Sequence, residues 1–318
     1  MRCITGGDPN GIGLETLFKC FAQHPDKFSD CILVAGADLV KEYSDRVGLS
    51  VPLNIISCDD GIKPRPSLLN VLDTGMSVDI EFGKVSPISG KVSFEYVMKA
   101  VSLMKEKQVQ AVVTLPICKE SWYNAGIEFP GHTEVFGHHF GKDFSMIMYS
   151  ERFSVCLVTI HEPLSGVSSL ITRENVERAV KNALSFGRKI YRGNLRVGVC
   201  AFNPHGGEGG YMGDEEKEIK AALSTFDAPE LEKNIQVPDT AFYKVMQGDF
   251  NMMVCMYHDQ GLIPFKMIGF DSGVNVTYGI DGVRTSPDHG TAFDIAGKGI
   301  ADPASLRKAL DISSLLIG

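Results

Sequence analysis

The 318-residue sequence contains no apolar run approaching the roughly 18 residues of a membrane span, so no transmembrane protein is expected. It has no excess of positive charge. Its 31 Lys and Arg are outnumbered by 39 Asp and Glu, a net charge of −8, which argues against a nucleic-acid partner. The eight cysteines show no paired spacing of the zinc-ribbon or zinc-finger kind. Cys156, Cys200 and Cys255 lie instead inside apolar runs, where a reduced cysteine behaves as a small core residue. No signal peptide is visible, because Met1-Arg2-Cys3-Ile4-Thr5 reads straight into a strand. A cytoplasmic protein with free thiols is the expectation. Internal repeats, low-complexity segments, the G-x-G-x-x-G fingerprint and the P-loop are all missing, so no conventional Rossmann dinucleotide-binding domain is expected.

What is present is a recurring pattern. Met252–Tyr257 is an apolar run that stops at His258-Asp259-Gln260-Gly261, with Lys266 eight residues past His258. Phe153–Thr159 is a second run, followed by His161 and Pro163, and Arg196–Phe202 a third, followed by Asn203-Pro204-His205-Gly206-Gly207. Each run reads as a short buried strand. In open α/β sheets ligands bind beyond the carboxyl ends of the strands. If the three strands are parallel, His161, His205 and His258 share one sheet edge, and three imidazoles there suit a divalent metal with an open coordination position.

The remainder alternates strands and helices, which implies an α/β fold with helices on both faces. Residues 2–5 are a strand, followed by the glycine-rich turn Gly6–Gly13 and a helix opening near Glu15. Such a turn suits a phosphate, if it is not merely a tight strand-to-helix connection. Cys31–Gly36 and 111–115 read as further strands, and the spacing of Phe94, Val97, Met98, Val101 and Met104 predicts a helix over 91–107. Residues 59–90 have no clear pattern. Lys119 reads as a surface lysine. His132 and Thr133 stand at the start of another helix, where an anion is favoured, although Thr133 could serve only as its N-cap.

Taken together, Gly7-Asp8-Pro9, Gly11-Ile12-Gly13, Gly131-His132-Thr133-Glu134, Asn203-Pro204-His205, Tyr257-His258-Asp259-Gln260-Gly261 and Arg284-Thr285 followed by Asp288-His289-Gly290-Thr291-Ala292 resemble the 4-hydroxythreonine-4-phosphate dehydrogenase family of pyridoxal phosphate biosynthesis. The run His289–Gly299 also resembles the cofactor loop of isopropylmalate and isocitrate dehydrogenases, a wider group that shares the fold. The resemblance implies two α/β/α domains with a cleft between them. On this chain they would comprise residues 1–125 with 290–318, carrying the cofactor loop, and residues 126–289, carrying the metal and substrate residues and a dimer interface.

The resemblance also assigns roles. His161, His205 and His258 match the metal ligands, the last supplied by the neighbouring subunit of a homodimer. His132, Thr133, Lys266, Asn275 and Arg284 match substrate-binding positions. His289, Gly290, Thr291, Ala292 and Asp294 match the cofactor loop, with Asp294 on the adenosine ribose of NAD unless it caps a helix beginning near Ile295. The chain departs from the family at Asn10 and Leu14, where Ala and Pro are usual, at the shortened Val237-Pro238-Asp239-Thr240, and at Glu162, where Leu is usual.

The activity implied is oxidation by NAD, with decarboxylation, of 4-phosphooxy-L-threonine to 3-amino-2-oxopropyl phosphate, assisted by zinc, magnesium or cobalt. Lys266 or Asp259 would move protons. Erythronate or threonate 4-phosphates and aromatic cis-dihydrodiols are alternative substrates. A three-histidine hydrolase and a catalytically silent phosphosugar binder are the rival classes, and NAD binding and bound metal separate them from the dehydrogenase.

Overall fold

A computed structural model describes residues 1–57, 61–269 and 273–318. It divides the chain into two compact units, Met1–Gly141 with Asp281–Gly318, and Lys142–Ile280.

In the first unit β1 (Arg2–Thr5), α1 (Gly13–Gln23), β2 (Cys31–Ala35), α2 (Ala37–Val47), β3 (Leu53–Ile56), β4 (Leu69–Asp73), α3 (Pro87–Lys105), β5 (Ala111–Thr114), α4 (Lys119–Asn124) and α5 (His132–Phe140) follow one another. The second unit supplies β6 (Ser145–Tyr149), β7 (Ser154–Leu157), α6 (Leu164–Val167), α7 (Arg173–Tyr191), β8 (Val197–Val199), α8 (Glu215–Ser224), α9 (Pro238–Gln247), β9 (Met252–Cys255), α10 (His258–Gly269) and β10 (Val274–Tyr278). The chain then returns to the first unit with β11 (Val283–Pro287) and α11 (Ala304–Ile317).

The strands of the first unit run in the order β3-β4-β2-β1-β5-β11 and all pair in parallel. β1, β2, β5 and β11 are buried along their whole length, as strands covered on both faces must be; β2 and β5 are correspondingly apolar, whereas β1 and β11 bury Arg2 and Arg284. α3 packs against β1, β2 and β5, and α11 against β11 and β5. The second unit orders its strands β10-β6-β7-β9-β8; β6 is antiparallel to both β10 and β7, whereas β7, β9 and β8 are mutually parallel. Its core gathers Phe153, Val155, Leu157, Met253, Cys255, Leu262 and Phe265. Fully burying each of these large side chains contributes about 1.5–3 kcal/mol.

Local chemistry accounts for the helix starts. Pro87 follows Ser86, whose hydroxyl accepts from Ser89 N, so α3 begins four residues earlier than its apolar stripe indicates. Thr172 caps α7 by accepting from Asn175 N, and Val176, Ala179, Val180, Ala183 and Leu184 form the buried stripe that their spacing predicts. Within 59–90 the structure adds β4; residues 59 and 60 lie outside the described residues.

The unit boundaries differ from the expected 125/126 and 289/290. Residues 126–141 fall with the first unit because Phe129 stacks on Phe94 and His132 lies edge-on to Trp122, with ring centroids 6.1 and 5.6 Å apart. Among the described residues no helix is long and apolar enough to cross a membrane.

Candidate active site

The three histidines stand where the strand pattern puts them. β9 lies between β7 and β8, and His161, His258 and His205 follow the carboxyl ends of β7, β9 and β8 respectively. Neighbouring strands are about 4.8 Å apart, so the three positions share one short edge. The rings of His161 and His258 meet within one chain, with centroids 5.6 Å apart and planes tilted by 43°. Two imidazoles ligating one ion at about 2.1 Å in tetrahedral geometry hold their centroids roughly 5–6 Å apart, so this pair fits a shared metal. His258 Nδ1 lies 2.7 Å from Asp259 Oδ1, which fixes the ring and leaves Nε2 as the ligating atom.

His205 does not complete the group. Among the described residues no three His, Cys, Asp or Glu stand close enough together to hold an ion. His205 is exposed and opens a left-handed run, His205 to Gly209, with φ between 42° and 73°. The Glu216 carboxylate holds the start of this turn by accepting from Phe202 N, Asn203 N and Asn203 Nδ2.

The first unit gathers groups able to hold an anion. Arg284 on β11 is 3% exposed, and its Nε and Nη2 both donate to Thr114 Oγ1 on β5, at 3.0 and 2.6 Å. Among the described residues that hydroxyl is its only hydrogen-bond acceptor. Burial draws the guanidinium down to about 9, opposed by the Glu134 carboxylate. His132 is the first residue of α5. Desolvation, then the charges of Arg284 and Lys119, push its imidazole well below the usual histidine range, so it is neutral. Its Nε2 is buried without a partner. Thr133, also buried, is not the N-cap; Gly131 occupies that position and offers no side chain. The first N–H groups of α5 therefore have no side-chain cap, a neutral donor-acceptor ring is buried beside them, and a guanidinium with three of its five N–H groups unsatisfied lies within electrostatic reach. Thr114 belongs to this constellation, and only its place as the last residue of a strand hints at it in the sequence.

Lys266 is half-buried on α10, and Asn275 on β10 has a buried Oδ1 with no partner, an acceptor that awaits a donor. The segment 288–303 between β11 and α11 contains no helix. Residues 293–297 form turns and the next helix starts only at Ala304, so Asp294 caps nothing at Ile295 and its side chain is exposed. His289 Nδ1 lies 3.0 Å from Gly290 O, with Nε2 buried and unpartnered, and Ala292 adopts φ 42°.

The family profile described as pyridoxal phosphate biosynthetic protein PdxA matches residues 27–313. The chain belongs to this family. A 4-hydroxythreonine-4-phosphate dehydrogenase of Beijerinckia indica is 37% identical, the match covering 98% of this chain and 94% of the relative. A D-threonate 4-phosphate dehydrogenase of Cupriavidus necator is also 37% identical, with 96% and 94% covered. The crystal structure of a 4-hydroxythreonine-4-phosphate dehydrogenase from Klebsiella pneumoniae superposes with a TM-score of 0.83 at 33% identity, covering 100% of this chain and 99% of that one. The family is one of dehydrogenases, and its α/β fold is the one expected from the strand and helix pattern.

In this PdxA-family chain the glycine-rich turn is not a phosphate cradle, contrary to expectation. Residues 6–13 are wholly buried. Gly6 N donates to Val34 O, Asp8 N to Pro116 O, Asn10 N to Asp8 Oδ1, Gly11 N to Asp8 O and Ile12 N to Thr291 O, so these N–H groups are already used. Gly7 has φ +67° and a Cβ there would stand 2.7 Å from Pro116 O, so the glycine serves a close backbone approach.

Asp8 in that turn is 1% exposed, and desolvation raises its carboxyl to about 6; the Asn10 N–H, Ser121 and Cys118 oppose the shift more weakly. A folded-state value above the unfolded one means that the native protein holds this proton more tightly. Stability is therefore highest below the unfolded value near 4 and declines as pH rises to about 6. Asp8→Asn is expected to flatten that decline and to gain up to about 3 kcal/mol at pH 8, from roughly two pKa units. Chemical denaturation at pH 4, 6 and 8 checks this; a variant less stable than wild type at pH 8 would refute it.

Proposed function

We propose that the chain is a metal-dependent, NAD-linked dehydrogenase that oxidises and decarboxylates 4-phosphooxy-L-threonine to 3-amino-2-oxopropyl phosphate. The buried Arg284 with only Thr114 Oγ1 to satisfy it carries the reading, because an isolated guanidinium is costly to bury unless an anion completes it. Family membership and the relatives' names support a phosphorylated substrate.

When bound, a divalent zinc, magnesium or cobalt ion on His161, His258 and His205 would supply Lewis acidity at the reacting hydroxyl, and NAD would supply the hydride acceptor. The protein's own groups do the rest. Arg284 and Lys266 bind the phosphate, Arg284 through two parallel N–H groups. The α5 N–H groups and the Thr133 hydroxyl donate to the same anion. His132 stays neutral and offers Nε2, and Asn275 Oδ1 accepts from a substrate donor. Asp259 orients His258 through Nδ1, and Lys266 or Asp259 moves the proton in this reading. Asp294 takes the ribose hydroxyls of NAD and repels a 2′-phosphate.

A homodimer with a shared active site belongs to this reading. Ile263 and Met267, one turn apart on α10, are 59% and 82% exposed, an apolar pair that a second copy would cover. His161 and His258 meet within one chain, and in this reading subunit assembly completes the three-histidine set.

D-threonate 4-phosphate is the second substrate reading, favoured by a relative of that activity at the same 37% identity. The deciding experiment measures kcat/KM for 4-phosphooxy-L-threonine, D-threonate 4-phosphate, D-erythronate 4-phosphate and an aromatic cis-dihydrodiol, with NAD or NADP and each metal. The first substrate with NAD should lead, and the unphosphorylated diol should not react. Asp294→Ala should raise KM for NAD and narrow the preference over NADP. A preferred diol would overturn the reading of Arg284, and an unchanged NAD-to-NADP ratio that of Asp294.

A further inference from the structure

The segment 288–303 is long for a connection with no helix or strand, and such segments keep one shape only when something outside them imposes it. Here the imposing element is the start of α1. At one end Ile12 N donates to Thr291 O at 3.0 Å, and Gly11 leaves room for the Thr291 side chain, since a Cβ would stand 2.9 Å from Thr291 Cβ. At the other end Glu15, with no exposed surface, accepts from Ala301 N through Oε1 at 2.7 Å. Lys19, one turn further along α1, donates from Nζ to Gly299 O at 2.6 Å and Ala301 O at 2.9 Å, and its Nζ lies 3.5 Å from Glu15 Oε1. Between the two ends Ile12, Ala296 and Ala301 pack together with Phe82, Ala292 and Ile295.

Three features point beyond simple packing. In the Glu15–Lys19 pair, Glu15 is fully buried with only Oε1 bonded and Lys19 is mostly covered, an arrangement that is expensive unless the charges hold partners. All of its bonds outside the pair go to backbone atoms of Gly299 and Ala301, so it fixes chain path rather than a side chain. Asp294, which is exposed, is carried on the span between the two anchored ends.

We propose that Glu15 and Lys19 are positioning residues for the cofactor loop, forming a clasp that sets where Asp294 and its neighbours present themselves to NAD. This rests on the reading of residues 289–294 as the cofactor loop and adds to it the part played by the glycine-rich turn and α1, which hold the loop instead of a phosphate.

The test compares Lys19→Met, Lys19→Arg, Glu15→Gln and Asp294→Ala. Steady-state kinetics are measured for NAD and for the phosphorylated substrate, and amide exchange is followed at Ala301. Lys19→Met keeps the apolar stem and loses the donor. It should raise KM for NAD about tenfold, the scale of one lost charged hydrogen bond, with kcat and the other substrate's KM within about twofold. Exchange at Ala301 should quicken, and Lys19→Arg should recover most of the NAD affinity. Glu15→Gln keeps an acceptor for Ala301 N, weakens the hold on Lys19, and should shift KM for NAD in the same direction. If Asp294→Ala raises KM for NAD while Lys19→Met and Glu15→Gln leave it unchanged, the clasp is overturned and the cofactor loop stands. If Asp294→Ala also leaves it unchanged, the loop assignment fails and the proposal fails with it. Should Lys19→Met lose its fold, Lys19→Arg and Glu15→Gln decide the same question.

Discussion

Replacing His161 or His258 by alanine is expected to abolish turnover while leaving the protein folded. A chelator should do the same to the wild type, with activity returning on addition of zinc, cobalt or magnesium. The expectation follows from two imidazoles whose centroids lie 5.6 Å apart beyond the ends of neighbouring parallel strands. Nothing in packing requires them there, since His161 is exposed and His258 half-buried, so neither substitution should lower stability by more than about 0.5 kcal/mol, the usual range for surface positions. Asp259→Asn provides a graded companion. It keeps the shape beside His258 Nδ1 and removes the charge, and partners of this kind alter metal affinity by about 10–100-fold. His205→Ala distinguishes a third ligand from a bystander. Loss of metal binding by that variant places His205 in the site despite its separation within one chain; metal content equal to wild type removes it from the ligand set. Full activity of metal-free protein would end the metal reading altogether.

The parts of the fold and site visible in the sequence are those set by short-range periodicity. Met252–Cys255, Ser154–Leu157 and Val197–Val199 are apolar runs that become parallel neighbours, and their histidines consequently line one edge. α7 was equally legible, from its cap Thr172 to its buried stripe. What stayed hidden depends on contacts distant in the chain. The glycine-rich turn reads locally as a phosphate loop, but Pro116 O and Thr291 O, 108 and 279 residues further on, consume its N–H groups. Asp294 has a second local reading as the cap of a helix near Ile295, yet the chain turns at 293–297 and packs onto Ile12 instead of forming a helix. His205 reads as a third ligand at a strand end, but its turn takes a left-handed run and, among the described residues, no third candidate ligand joins His161 and His258. The isolation of Arg284 was invisible for the same reason: a sequence shows an arginine but not that, among the described residues, Thr114 Oγ1 is its one hydrogen-bond acceptor and the Glu134 carboxylate acts on it through charge alone.

That isolation makes the second large effect specific. Arg284→Ala is expected to raise KM for the phosphorylated substrate by roughly 10–150-fold, the 1.5–3 kcal/mol of a charge-assisted hydrogen bond to a buried anion, with KM for NAD within about twofold. The ligand-free variant should be no less stable than wild type. A guanidinium that is 3% exposed and bonded only to Thr114 Oγ1 is a net cost to the empty fold, as its fall to about 9 records. An anion beside it favours the charged form and offsets that cost. Inorganic phosphate should therefore raise the melting temperature of the wild type and not of Arg284→Ala. The sign of the pH dependence follows from the same shift. The empty site loses its positive charge as pH rises through about 9, so phosphate affinity should weaken above that pH. Arg284→Lys should recover only part of the affinity, because an ammonium cannot present two parallel N–H groups to one anion. A purely structural arginine predicts the opposite pattern, with a lower melting temperature in the ligand-free variant and similar losses for NAD and for the phosphorylated substrate. Either of those results would remove Arg284 from the substrate site.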